Sequence, residues 1–149
     1  MKYTLVILVL FLISGCNEKQ LSNEEDIIKN VRTAWKGLYT SYENSDLSFI
    51  NYYQDEVIRM NTDGEYKIGK DVFKKSWKEY YEKNYVKVLD YSDPTILPSN
   101  EQTVTFNTYK EIFVNKETLD TTLVEGTWIA VWKKQNDGNW KIRMSTWHN

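Results

Sequence analysis

Thr127-Trp128-Ile129-Ala130-Val131-Trp132-Lys133-Lys134, followed closely by Asp137-Gly138-Asn139-Trp140-Lys141-Ile142, is the stretch on which the fold turns. Both halves are rich in β-branched and aromatic side chains, which suit the pleated, half-buried surface of a strand. Between them Gln135-Asn136-Asp137-Gly138-Asn139 is a tight connection, because glycine accepts the positive φ of a hairpin turn. A long strand over 119–133 and a closing strand over 140–147 are therefore predicted. Trp, Ile and Val stand on both parities of residues 127–132. A half-exposed sheet usually alternates cleanly, so this segment is compatible with two buried faces.

Upstream the pattern stays strand-like as far as Tyr85. Thr103 to Val114 alternates, with Val104, Phe106, Ile112 and Val114 on one parity, and Asn115-Lys116-Glu117 forms the turn that follows. Tyr85 to Ile96 is another strand, with Pro94 and Pro98 confined to an edge or its end. Val57-Ile58-Arg59-Met60-Asn61 is a strand closed by the turn signal Asp63-Gly64, and Glu65 to Ile68 is its short return.

Three helices precede or interrupt these strands. Ser22-Asn23-Glu24-Glu25 matches a capping box, and apolar residues then recur at Ile27/Ile28, Val31, Ala34/Trp35, Leu38/Tyr39 and Tyr42. That helix is expected to run from Ser22 to about Glu43. Leu47, Phe49/Ile50 and Tyr53 mark a short second helix. Gly69-Lys70-Asp71 opens a third, with Val72/Phe73, Ser76/Trp77 and Tyr80/Tyr81 on one stripe. Helices first and a meander of strands afterwards define an α+β chain: an antiparallel sheet with its helices on one face.

Three features together resemble the nuclear transport factor 2-like superfamily, which includes ketosteroid isomerase, SnoaL-like proteins and polyketide cyclases. They are the long first helix with Trp35, the segment Phe49-Ile50-Asn51-Tyr52-Tyr53-Gln54-Asp55-Glu56-Val57-Ile58, and the paired ending 127–142. The resemblance spans roughly 23–149. It implies a cystatin-like cone, in which a curved antiparallel sheet packed with three N-terminal helices wraps a cavity. Such domains include enzymes and binding modules alike, so the fold alone assigns neither. Sheets in this superfamily also often pair face to face, which makes a homodimer a further expectation.

The isomerase mechanism needs a carboxylate base on the first strand, a hydroxyl donor from a helix and a second, protonated acid. Laid on that pattern, Met60 stands where the base would be, and a thioether cannot accept the proton. Tyr39 or Tyr42 could supply the hydroxyl, although tyrosines there are ordinarily core. Glu111 and Glu125 fall inside predicted strands, Glu111 on the parity of Asn107 and Tyr109 and Glu125 on that of Leu123, Ile129 and Val131. A solvated convex face is the ordinary place for both. Facing the cavity instead, either could serve as an acid or base after desolvation. His148, one residue from the end, is expected to be exposed, with a pocket-mouth base as the alternative. Ser76 and Ser145 have no histidine at a convincing spacing for a hydrolytic triad.

The N-terminus bears on location. Lys2 opens an apolar run from Tyr3 to Ile13, about half the roughly 20 residues that a membrane-spanning helix needs. Small residues and the only cysteine follow, in the order of an export signal with a processing site. Ile13-Ser14-Gly15-Cys16 resembles the bacterial lipobox. By that resemblance residues 1–15 are a signal peptide, and Cys16 becomes the first mature residue, its thiol carrying a diacylglyceryl group within a set of fatty acyl (palmitate-type) chains. Residues 16–22 would be the lipidated cysteine and a tether, and 23–149 the domain. Two or more acyl chains, at about 0.8 kcal/mol per buried methylene, hold a protein stably on a bilayer. Asn17 is not the aspartate that favours inner-membrane retention in some bacteria, so the outer membrane of the cell envelope is the expected site.

Composition excludes several partners. The formal charge of −2 becomes −3 once Lys2 is removed, which argues against nucleic acid. One histidine and one cysteine argue against a soft-ligand metal site, and no cofactor is expected. Lys74, Lys75 and Lys78 beside Trp77 and Tyr80 make a basic helix face, ordinarily solvated. Six Trp, eleven Tyr and five Phe are an excess that can fill a core or line a cavity. The expected function is a membrane-anchored module that binds a small apolar or amphipathic ligand or a partner protein. Its pocket candidates are Tyr39, Met60, Trp77, Tyr81, Asn107, Tyr109, Trp128 and Trp132. Two alternatives stay open: an enzyme of the cyclase, isomerase or dehydratase type, and a dimeric structural or regulatory envelope protein. The enzyme requires a buried carboxylate or histidine in a cavity, within reach of a second polar group.

Overall fold

The computed structural model describes residues 23–149 of the chain. Cys16, the tether and the capping residue Ser22 lie outside the described residues. The first helix, α1 (Lys2–Glu43), ends where the periodicity ends. Its described part buries Ile27, Val31, Trp35, Leu38 and Tyr39 as one stripe, at the three- and four-residue spacing that keeps side chains on one helix face. Ser45 then takes a positive φ, and the Asp46 carboxylate accepts from the Ser48 backbone N–H at 2.8 Å. That cap starts a short 3-10 helix (Leu47–Tyr52), which buries Phe49 and Ile50.

Strand β1 (Tyr53–Met60) starts earlier than the predicted strand because Tyr53 and Val57 are both anchored in the core. It turns at Gly64 into β2 (Tyr66–Ile68). Gly69, with φ 101°, redirects the chain into α2 (Lys70–Lys83), whose buried contact is Phe73. Lys74, Lys75 and Lys78 are exposed on α2, the solvated face expected of them. The rest is sheet: β3 (Asn84–Tyr91), β4 (Thr95–Leu97), β5 (Gln102–Asn115), β6 (Thr121–Lys134) and β7 (Trp140–His148). Asp137 and Gly138 make the last hairpin, Gly138 at φ 84°.

The strands form one sheet in the order β2-β1-β7-β6-β5-β3, with β4 also paired to β5. All pairings are antiparallel except β1 with β7, which brings the first strand beside the last. Register shifts in β1–β7, β3–β5 and β6–β7 bend the sheet around the helices, as bulges do. Gly126 is obligatory on β6. A Cβ there would collide with the His148 carbonyl where β7 closes over it.

The buried face of β5 carries polar side chains. Thr103, Thr105, Asn107, Tyr109 and Glu111 point inward, and Phe106, of the apolar parity, is 39% exposed. Partners inside the core make this possible. The Trp132 indole N–H donates to Thr105 Oγ1 at 2.9 Å and the Trp35 indole to Asn107 Oδ1 at 3.2 Å. Asn107 Nδ2 donates in turn to the Tyr39 hydroxyl at 2.8 Å. A buried polar group that keeps its hydrogen bond escapes most of the desolvation penalty.

Candidate functional site

Between the helices and the concave face of the sheet lies a cavity of about 370 Å³. That is within the roughly 300–1,000 Å³ of small-molecule pockets. Leu38, Tyr39 and Tyr42 of α1 form one wall, and Phe73, Ser76, Trp77 and Tyr80 of α2 another. The sheet contributes Tyr53 and Arg59, then Tyr109, Glu111 and Phe113, then Val124, Trp128 and Trp147. Phe49 and Asn149 complete it. The rings pack edge to face: Tyr42 on Trp77 at 5.3 Å and 90°, Phe49 on Trp77 at 5.5 Å and 88°. Such edge-to-face pairs contribute about 0.5–1.5 kcal/mol each beyond the area they bury.

Two ionisable groups stand in this apolar surround. Glu111 is 7% exposed, and its Oε2 accepts from the Tyr42 hydroxyl at 2.9 Å. Burial pushes its carboxyl from an ordinary 4.5 up to about 7, against the opposing pull of that hydrogen bond and of the Arg59 charge. The same burial raises the hydroxyls of Tyr53 and Tyr109 to about 12, and those of Tyr39, Tyr42 and Tyr81 also shift upward. These tyrosines are therefore neutral donors at pH 7.

Arg59 is the second group. Its guanidinium lies 4.3 Å from the Trp147 ring centroid, 4.6 Å from Phe73 and 5.5 Å from Trp77. Among the described residues it makes no ion pair and no side-chain hydrogen bond. Each ring contact contributes about 0.5–2 kcal/mol. Burial lowers the guanidinium pKa, yet it stays charged, since arginine does not deprotonate in proteins.

The eight pocket candidates divide. Tyr39, Trp77, Tyr109 and Trp128 line the cavity. Asn107 sits just behind it, tied to Tyr39 and Trp35. Trp132 is fully buried in the core, bound to Thr105 rather than to open space. Tyr81 packs on Trp77 at 5.3 Å outside the lining, its buried hydroxyl without a partner among the described residues. Met60 is 36% exposed at the end of β1, opposite Tyr66 of β2, and does not reach the cavity. Of the three acid-base candidates, Glu111 alone lies in the cavity. Glu125 is exposed and paired with Lys110 at 3.1 Å, and His148 is exposed at the end of β7.

Sequence reasoning did not reach Arg59. Its signal was nonetheless present, because Arg59 shares strand parity with the buried Val57. Nor were Phe49, Tyr53, Phe73 and Trp147 named for the pocket. Among the described residues no group of three His, Cys, Asp or Glu side chains could hold a metal ion.

Comparison with known proteins identifies the architecture. No family model matches the chain, and no curated protein matches it. Solved structures do. A ketosteroid isomerase-like protein from Erwinia carotovora atroseptica aligns with a TM-score of 0.66 at 18% identity, over 80% of this chain and 92% of that one. A nuclear transport factor 2-like protein from Cytophaga hutchinsonii aligns at 0.66 and 21% identity, over 83% and 96%. A nuclear transport factor 2-like superfamily protein from Salmonella enterica aligns at 0.65 and 15% identity, over 87% and 92%. The chain therefore has the nuclear transport factor 2-like fold, an α+β cone with a curved, unclosed sheet. Identities this low establish the fold alone.

Proposed function

We propose that this chain is a small-molecule-binding cup, anchored at the cell envelope through acylated Cys16. The observation that carries the binding reading is the cavity of about 370 Å³, walled by aromatic rings and left unfilled by its own side chains. Rigid rings supply apolar contact at low entropic cost, and a few polar groups fix orientation. Support for the anchor is the lipobox-like Ile13-Ser14-Gly15-Cys16. The binding test is titration of the full-length chain with the neutral apolar fluorophore N-phenyl-1-naphthylamine. Saturable binding that Val124→Trp abolishes by filling the cavity is expected. Binding that survives Val124→Trp in a folded protein, or no binding at all, refutes the cup. For the anchor, mass spectrometry of the native protein should find Cys16 acylated and N-terminal.

A second reading is acid-base catalysis. The observation favouring it is Glu111, a cavity carboxyl poised near 7 with the Tyr42 hydroxyl in contact. A general acid or base works best with a pKa near the working pH. Its test is deuterium uptake at the α-carbon of 2-tetralone in D2O, followed by NMR. Exchange by the native chain no faster than by Glu111→Gln would rule it out.

A further inference from the structure

Arg59 poses a question that the aromatic cup leaves unanswered. A guanidinium carries five N–H donors in its plane and needs acceptors at its edges. Phe73, Trp77 and Trp147 meet it through their rings, and a ring centroid accepts none of those edge donors in the way an oxygen does. Arg59 is half-buried and lines the cavity, where a ligand can reach it. Among the described residues no carboxylate pairs with it, although Glu111 lines the same cavity.

We infer that Arg59 is the recognition element for a single carboxylate on an otherwise apolar, flat ligand. This deepens the binding-cup reading and rests on it. The guanidinium lies over the Phe73, Trp77 and Trp147 rings, and Tyr109 and Trp128 add further aromatic lining to the same cavity. A carboxylate matches the guanidinium fork with two parallel N–H···O bonds, which a neutral amide cannot reproduce. One guanidinium balances one negative charge. A dianionic phosphate would bring a surplus charge into a cavity that already holds Glu111.

The test compares 2-naphthoate with its neutral isostere 2-naphthamide, by calorimetric titration of the full-length chain at pH 6. The carboxylate is expected to bind at least tenfold more tightly. In Arg59→Gln the ratio is expected to fall to about one, and a ratio that stays at the native value in the folded variant overturns the assignment. Should that variant not fold, the native ratio decides by itself. Equal affinities for the two probes in the native chain overturn the carboxylate assignment and leave the cup standing. Failure of both probes to bind, when N-phenyl-1-naphthylamine does bind, also overturns the assignment. Failure of all three refutes the cup itself.

Discussion

Tyr42 and Glu111 meet across 69 residues of chain, hydroxyl to carboxylate at 2.9 Å, inside an aromatic cavity. α1 and β5 converge there, so the pair exists only in the folded cone. Burial is the larger effect on Glu111, and it outweighs both the Tyr42 hydrogen bond and the Arg59 charge.

The first prediction is a pH dependence of stability. The folded-state pKa of Glu111, about 7, lies above its ordinary 4.5. Between those values the folded state holds the proton more tightly than the unfolded chain, so stability falls as pH rises. The loss begins near 4.5 and is complete above 7. At 1.36 kcal/mol per pKa unit it amounts to about 3 kcal/mol. Glu111→Gln keeps an acceptor for Tyr42 and cannot ionise. Urea melts should show it more stable than the native chain at pH 8 by about 2–3 kcal/mol, with a flatter profile from pH 5 to 8.

Ligand affinity should titrate with the same group. Around Glu111 the ionisable neighbours are Tyr39 and Tyr42 of α1, Arg59 of β1, Tyr80 and Tyr81 of α2, and Tyr109 of β5, while Tyr53 of β1 lines the same cavity. The tyrosines stay neutral and Arg59 stays charged, so Glu111 is the group that changes near pH 7. Its ionisation places a negative charge beside a bound carboxylate. Affinity for 2-naphthoate should drop by about tenfold between pH 6 and pH 8. Glu111→Gln should abolish that slope, and 2-naphthamide should not show it.

Asn107 joins the helix to the sheet. It accepts from Trp35 and donates to Tyr39 while only 2% exposed. Asn107→Leu strips the acceptor from a buried indole N–H. A loss of about 2–3 kcal/mol in thermal or urea unfolding is expected. An unchanged midpoint would mean that the network contributes little.

Gly126 tests the closure of the cone. Gly126→Ala sets a methyl group against the His148 backbone carbonyl. Backbone cannot swing aside as a flexible side chain can, so about 1–3 kcal/mol of stability should be lost. Because Trp147 and Asn149 line the cavity on the same strand end, affinity for N-phenyl-1-naphthylamine should weaken as well.

Local rules carried the sequence a long way. The α1 stripe through Val31, Trp35 and Leu38, the Asp137-Gly138 turn and the strands around it follow from periodicity and backbone preference, which act between near neighbours. The segments resembling the cone superfamily were legible for the same reason. The lipobox-like Ile13-Ser14-Gly15-Cys16 is a proposal that rests on sequence alone.

Which face of each strand turned inward was decided by tertiary structure. On β5 the apolar parity of Val104 and Phe106 suggests a buried face, yet Thr105, Asn107 and Glu111 occupy it. Trp132, Trp35 and Tyr42 supply their hydrogen bonds, from elements far away in the chain. Arg59 likewise gains its ring enclosure only when α2 and β7 close around β1. Periodicity states which side chains share a face. The cost of burying a polar one depends on partners that only the folded chain assembles.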